Sequence, residues 1–236
     1  MSETGSVKFT CQQVAVEMPR FAGFAELNRY RRKLLVLGVI GVDASGVGFG
    51  NLSIRNGATP RFYITGSATA GISELMPADY AKVVAYDFVR NWLECEGITV
   101  ASSESLTHAA VYESDPTARA VIHCHDKKLW AALLDEAPTT PKRVEYGTPE
   151  MAYAVRRLFE APEVRRRKIF VMAAHDGGLV TFGRDLQEAF GILKNEMASH
   201  LKDVKHRHVL NSELRKFSRA GSFRPPRSPR RPGRAG

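Results

Sequence analysis

The sequence predicts a single α/β domain followed by a basic tail. Three observations carry that expectation. Segments of strand period and helical period alternate from about residue 20 to residue 207, no linker separates them, and the 236 residues suffice for a buried core without disulfides or a folding metal. The domain is drawn over 1–217 and the Pro/Arg-rich tail over 218–236.

The first element is a leading strand in the loosely alternating residues 6–18 (Val7, Phe9, Cys11, then Val14 and Val16). From Phe21 to Leu37, Phe24, Leu27, Tyr30, Leu34 and Leu37 recur at helical spacing with Arg29, Arg32 and Lys33 outward, which predicts an amphipathic helix. Gly38 to Gly50 turns the chain. Gly46-x-Gly48-x-Gly50 lacks a Walker lysine and the Gly-x-Gly-x-x-Gly pattern, so no nucleotide loop is read. Asn51–Arg55 and Arg61–Thr65 read as short strands around an Asn56-Gly57 turn. Residues 83–95 have strand composition, although a helix from Ala78 is also permitted; a hairpin turning near Arg90-Asn91 is the favoured reading.

Ser102-Ser103-Glu104-Ser105 opens a helix with the apolar face Leu106, Ala109, Ala110 and Val111, and Asp115-Pro116 stops it. Serines there would cap free amides and, with the dipole, make an anion site. A strand over 119–125 and a helix over 126–135 follow. Thr148-Pro149-Glu150 starts another helix, with Thr148 as its cap. Lys168–Ala174 reads as a buried strand ending at His175, Asp176-Gly-Gly turns into Leu179–Phe182, and Asp185 with Glu188 starts a final long helix.

Charge and cysteine usage narrow the classes. Eight arginines and lysines, with no acid, lie between Leu214 and Gly236; taking them from the net +9 leaves +1 for residues 1–213. The body is nearly neutral. Arg224 to Arg234 is read as a solvated tail rather than a nucleic-acid arm. Cys11, Cys95 and Cys124 are odd in number and widely spaced, forming neither a disulfide framework nor a Cys-x-x-Cys site, which points to a reducing cytoplasm. No signal peptide and no apolar run of membrane-spanning length is read, so a soluble protein is expected.

The chemistry concentrates in Arg119–His125. On a strand, Val121, His123 and His125 share one face and Ala120, Ile122 and Cys124 the other. Both imidazoles then enter one space, about 6.5 to 7 Å apart along the strand, where leaning rings can share an ion. His206-Arg207-His208 repeats the spacing in a stretch of helical period, where residues two apart sit about 200° around the axis and cannot chelate together. With His175 as a third nitrogen and Glu104 as fourth ligand or acid/base, the set fits a catalytic metal site with an open position. Asn51, Thr65-Gly66 and Ser102-Ser103 offer amides or hydroxyls at turns that suit a phosphate, although each taken alone is an ordinary cap or turn.

Gly50-Asn51-Leu-Ser53-Ile-Arg55, Ile64-Thr65-Gly66, Ser102-Ser103-Glu104 with His108 four residues on, Ala120-Val-Ile-His-Cys-His125, Gly147-Thr148-Pro-Glu150 and His175 before Gly177-Gly178 together resemble the successive motifs of the class II aldolase/adducin family. The resemblance runs from about Phe21 to Met197. It implies a three-layer α/β/α fold around a largely antiparallel sheet and a ring-shaped homotetramer with sites at subunit junctions. It implies a divalent metal, usually zinc, on His123, His125 and His175. Glu104 matches the family's catalytic acid/base, and Asn51, Thr65, Gly66, Ser102 and Ser103 match its phosphate pocket.

The implied activity is that of a metal-dependent lyase on a small phosphorylated sugar or related carbonyl compound, by aldol cleavage through a stabilised enediolate. The alternatives are a ketose-phosphate dehydratase on the same site and an adducin-like interaction module, against which the full ligand set argues. Two departures stand out. The family's tyrosine between the His-x-His and Gly-Thr motifs has no counterpart in Asp126–Glu145, leaving Tyr146 as the nearest candidate, and the usual His-Gly pair is His175-Asp176-Gly177 here.

Overall fold

Strands whose alternate side chains are apolar on both faces need helices on each side, and the segments around residue 120 have that character. A computed structural model describes residues 8–134 and 136–202. Its strands in chain order are β1 (Thr10–Val14), β2 (Gly41–Val42), β3 (Gly48–Phe49), β4 (Asn51–Arg55), β5 (Phe62–Thr65), β6 (Tyr80–Asp87), β7 (Trp92–Glu96), β8 (Ala120–His125), β9 (Ile169–Val171) and β10 (Gly178–Gly183). The helices are α1 (Phe24–Leu37), α2 (Ser105–Ser114), α3 (Lys127–Leu133), α4 (Pro149–Leu158) and α5 (Pro162–Arg167), and residues 186–197 are helical too. Contacts gather residues 1–197 into one unit. In the second unit, 198–236, residues 198–202 are described and are helical.

Eight strands form one sheet in the order β1-β7-β6-β5-β4-β8-β10-β9, and β2 and β3 pair apart from it. Only the β1–β7 ladder is parallel, so the sheet is largely antiparallel as expected. On one face Phe62, Ile64, Val121, Val180 and Phe182 pack with Leu106, Val111, Met151, Val155 and Val164 of α2, α4 and α5. On the other, Leu52, Ala120, Ile122, Cys124 and Leu179 pack with Leu27 and Leu34 of α1, Leu129 of α3, and Leu186 and Leu193. The period-two split of β8 is the one its sequence predicts.

Several local features depart from expectation. The strand expected over 168–174 keeps only Ile169–Val171, because the chain turns at Met172 to reach His175. Ser102 and Ser103 do not cap α2; its N-cap residue is Glu104, which makes no side-chain cap bond, and Ser105 Oγ donates to the Ser102 carbonyl at 2.6 Å. The helix after β8 begins at Lys127, with Asp126 accepting from the amides of Lys128 and Leu129. Thr148 does cap α4, accepting from Met151 N. The β6–β7 hairpin turns at Asn91, in the left-handed region at φ 46. The His206–His208 pair and the basic tail lie outside the described residues.

Two buried polar residues of α1 fasten a distant loop. Asn28 exchanges two hydrogen bonds with the backbone of Leu75, and the Arg31 guanidinium donates to the carbonyls of Thr69, Ala70 and Ser73. The fold also forces one glycine: Gly50 sits at φ +75, and a Cβ there would lie 2.4 Å from Ile40 Cγ2 and 3.1 Å from the His123 carbonyl. Gly50→Ala is expected to destabilise the protein by at least about 1–2 kcal/mol from the left-handed backbone alone, read as a lowered urea midpoint. An unchanged midpoint would contradict this account of the position.

Candidate functional site

β8 lies between β4 and β10, and its register sets the site. His123 is opposite Asn51 on one side and Val180 on the other, while His125 is opposite Gly178. The turn before β10 then folds the third imidazole back. His175 N donates to Met172 O at 3.1 Å and Gly178 N to His175 O at 2.7 Å. Gly177 takes φ +82, and a Cβ on Gly178 would stand 2.6 Å from His175 Cδ2, so glycine leaves room for the ring.

The three rings meet. Their centroids are separated by 4.9 Å (His123–His125), 5.2 Å (His123–His175) and 4.5 Å (His125–His175). One nitrogen from each lies within 4.8 Å of the others. Nε2 of His123 and of His125 are buried with no hydrogen-bond partner, and burying such atoms costs free energy unless something fills their lone pairs. Burial drives the His123 pKa well below its ordinary value, with a smaller push from the other two rings. Burial likewise lowers His125 to about 4 and His175 to about 3. All three are neutral at pH 7, the form that binds a cation. Buried, neutral and partnerless nitrogens converging on one space fit a divalent metal.

Asn51 stands behind His123, with its Nδ2 3.3 Å from the ring Nδ1 and its Oδ1 buried without a partner. A half-turn of the amide exchanges Oδ1 and Nδ2. Oδ1 then accepts the Nδ1–H, which fixes the tautomer whose Nε2 lone pair is free.

Glu104 is fully buried, and burial pushes its carboxyl up to about 7 against the hydrogen bond from Thr107 and the charge of Lys8. Thr107 Oγ1 donates to Oε2 at 2.7 Å, while Oε1 has no partner. Four residues on, His108 donates or accepts through Nδ1 with Ser53 Oγ at 2.7 Å, and Ser53 Oγ reaches Tyr112 OH at 2.8 Å. This network braces α2 against β4.

A cleft of about 840 Å³ is lined by Asn51, Gly66, Ser102, Ser103, Glu104, His123, His125 and His175. Thr65 is not among its lining residues; its hydroxyl accepts from the Leu52 amide at 3.4 Å. Gly66 and Ser67 direct their own amides elsewhere, to the carbonyls of Asp79 and Val100, so they offer no free N–H to an anion. Tyr146 joins the site, with its ring centroid 4.2 Å from that of His175 and Lys8 Nζ over the same ring, 4.0 Å from its centroid. The rest of the rim is made by Gly46–Phe49, Ser67–Gly71 and the Lys127–Asp176 ion pair at 2.5 Å. Asp176 and the glycines of 46–50 stand out in the sequence, whereas nothing in it marks Lys127 or residues 67–71 as part of the site.

No curated protein matches the chain. Among solved structures, L-fuculose-1-phosphate aldolase from Thermus thermophilus is 21% identical at TM-score 0.58, covering 80% of this chain and 95% of that one. Another L-fuculose 1-phosphate aldolase is 19% identical at TM-score 0.62, covering 87% and 99%. A sugar-phosphate aldolase from Thermotoga maritima is 15% identical at TM-score 0.55, covering 77% and 94%. At these identities the likeness is one of fold. Residues 43–195, well over half of the sequence, match the Class II Aldolase and Adducin N-terminal domain, so the chain belongs to the class II aldolase/adducin family.

Proposed function

We propose that this protein is a metal-dependent lyase that cleaves a small phosphorylated sugar, or a related carbonyl compound, by the aldol route. The observation that carries the reading is the meeting of three neutral imidazoles, two with orphaned Nε2 atoms, in the cleft that also holds a buried carboxyl poised near neutrality. His123, His125 and His175 would hold a divalent cation, with zinc the first choice for an all-imidazole set. Such an ion supplies Lewis acidity toward the adjacent carbonyl and hydroxyl oxygens of a ketose.

The chain's own residues do the rest. Glu104, with a pKa of about 7, can take a proton from a substrate hydroxyl or carbon and return it at the same pH. Thr107 orients its Oε2 and leaves Oε1 for the substrate. Asn51 orients His123, and Ser102 and Ser103 present hydroxyls and backbone to the phosphate, whose binding supplies energy remote from the reacting atoms. A homotetramer in a reducing cytoplasm remains part of the proposal. A second reading, loss of water from a ketose phosphate on the same site, is favoured by one observation: Asp126–Glu145 carries no tyrosine to protonate an aldol leaving group.

Elemental analysis and separate assays of aldehyde release and water loss on a panel of phosphoketoses test this. His123→Ala is expected to lose the bound metal and turnover together, while Asn51→Ala weakens metal binding about 10–100-fold. Full turnover in His123→Ala, or wild-type protein purified without a divalent metal and unresponsive to its addition, would sink the proposal.

Glu104 gives an independent check on metal-free protein. Its folded pKa is raised from the ordinary 4.5 to about 7, so the stability it contributes is complete below pH 4.5 and is lost as pH rises toward 7. Glu104→Gln escapes that loss. Its stability relative to wild type should grow by up to about 3 kcal/mol between pH 4.5 and pH 7 and then level off. A pH-independent difference in unfolding midpoints would show that the carboxyl is not held neutral by burial.

A further inference from the structure

The parallel pair β1 and β7 closes one edge of the sheet, with Cys11 in register with Leu93 and Gln13 with Cys95. The two cysteines therefore lie diagonally across the ladder. Both contact the core that α2 and α4 cover, and their sulfurs are 3.3 Å apart. Far apart in the sequence, they are the nearest pair of thiols a cross-link could use. Cys124, the third cysteine, is buried in the core of the opposite face.

A disulfide measures about 2.05 Å, so bonding asks the sulfurs to approach by little more than 1 Å or so. β1 has a single strand neighbour, and its movement breaks no second ladder. Access is asymmetric: Cys95 is buried, whereas Cys11 is half-exposed and meets an oxidant from solvent.

We propose that Cys11 and Cys95 are a reversible dithiol–disulfide site, closed by a small peroxide. The S–H···S hydrogen bond prepares the pair: it draws Cys95 down to about 7 and, with burial, pushes Cys11 up. One of the two protons leaves the pair near neutral pH and the other stays shared between the sulfurs, so when it sits on Cys95 the thiolate is on Cys11, the sulfur that solvent reaches. The Cys11 sulfur attacks one peroxide oxygen, the O–O bond breaks, and hydroxide departs to become water, leaving Cys11 as a sulfenic acid. The Cys95 sulfur then attacks Cys11, the S–S bond forms, the S–O bond breaks, and a second water leaves. Two thiols have lost two electrons and two protons, and the peroxide has been reduced to two waters.

The experiment treats the reduced full-length chain with hydrogen peroxide, blocks remaining thiols by alkylation, and reads intact mass and peptide map. Expected are the loss of two hydrogens, one alkylated thiol of the three present, a peptide joining Cys11 to Cys95, and reversal by dithiothreitol. Cys124→Ser should keep the two-hydrogen loss, and Cys11→Ser should abolish it. Three alkylated thiols, oxygen retained on Cys11 without a cross-link, or a covalent dimer through Cys11 would each overturn the proposal. If Cys11→Ser does not fold, the peptide map of Cys124→Ser decides alone.

Discussion

The antiparallel seating of β8 between β4 and β10 is the constraint on which the rest of the site depends. It gives every side chain of β8 a fixed face, so the apolar set Ala120, Ile122 and Cys124 can be buried only if His123 and His125 face the other way. A slip of one residue would turn both imidazoles into the layer of Leu27 and Leu34 and carry the aliphatics to the opposite face. The core therefore enforces the register, and the register aims the histidines. The same ladder sets His125 opposite Gly178, which lets a six-residue excursion from Met172 to Gly177 return His175 to the same space.

What the core enforces, it also makes costly. His108, His123 and Glu104 are fully buried polar groups, and several of their atoms lack partners among the described residues. Burial is what sets their protonation: it lowers the histidines, which stay neutral at pH 7, and raises the carboxyl, so that Glu104 is ionised only in part there. A cation with an anionic substrate would reverse that balance locally, giving the lone pairs of His123 and His125 a partner and favouring the ionised carboxylate.

Much of this was legible because it follows period. The two faces of β8, the turn at Asn91, the Thr148 cap and the amphipathic stripe of α1 each depend on residues within one short window. What period does not encode was missed. α5 is six residues with Val164 as its one buried side chain, too few for a stripe. The amide of Gly66 looked available until the Asp79 carbonyl took it, and Gly66 is glycine because a Cβ would lie 2.4 Å from Thr99. Cys11 and Cys95 looked unrelated because their meeting depends on a parallel crossing 84 residues later.

The rim obeys a different logic from the strands beneath it. Gly48 packs so close to the other wall that a Cβ would come within 2.7 Å of Ala70, and one on Gly71 within 3.2 Å of Val42, so the β2–β3 hairpin and the 66–71 segment meet over small residues. Arg31 draws the carbonyls of Thr69 and Ala70 toward α1. In a trans peptide the next N–H points the opposite way, so the amides of Ala70 and Gly71 face away from the guanidinium. Backbone dipoles oriented by a buried cation, on a segment that lines the cleft, favour an anion without placing a charged side chain beside it. The histidines thus stand on a strand and the turn beside it, where their spacing announces them in the sequence, while the rim is backbone that no residue pattern marks.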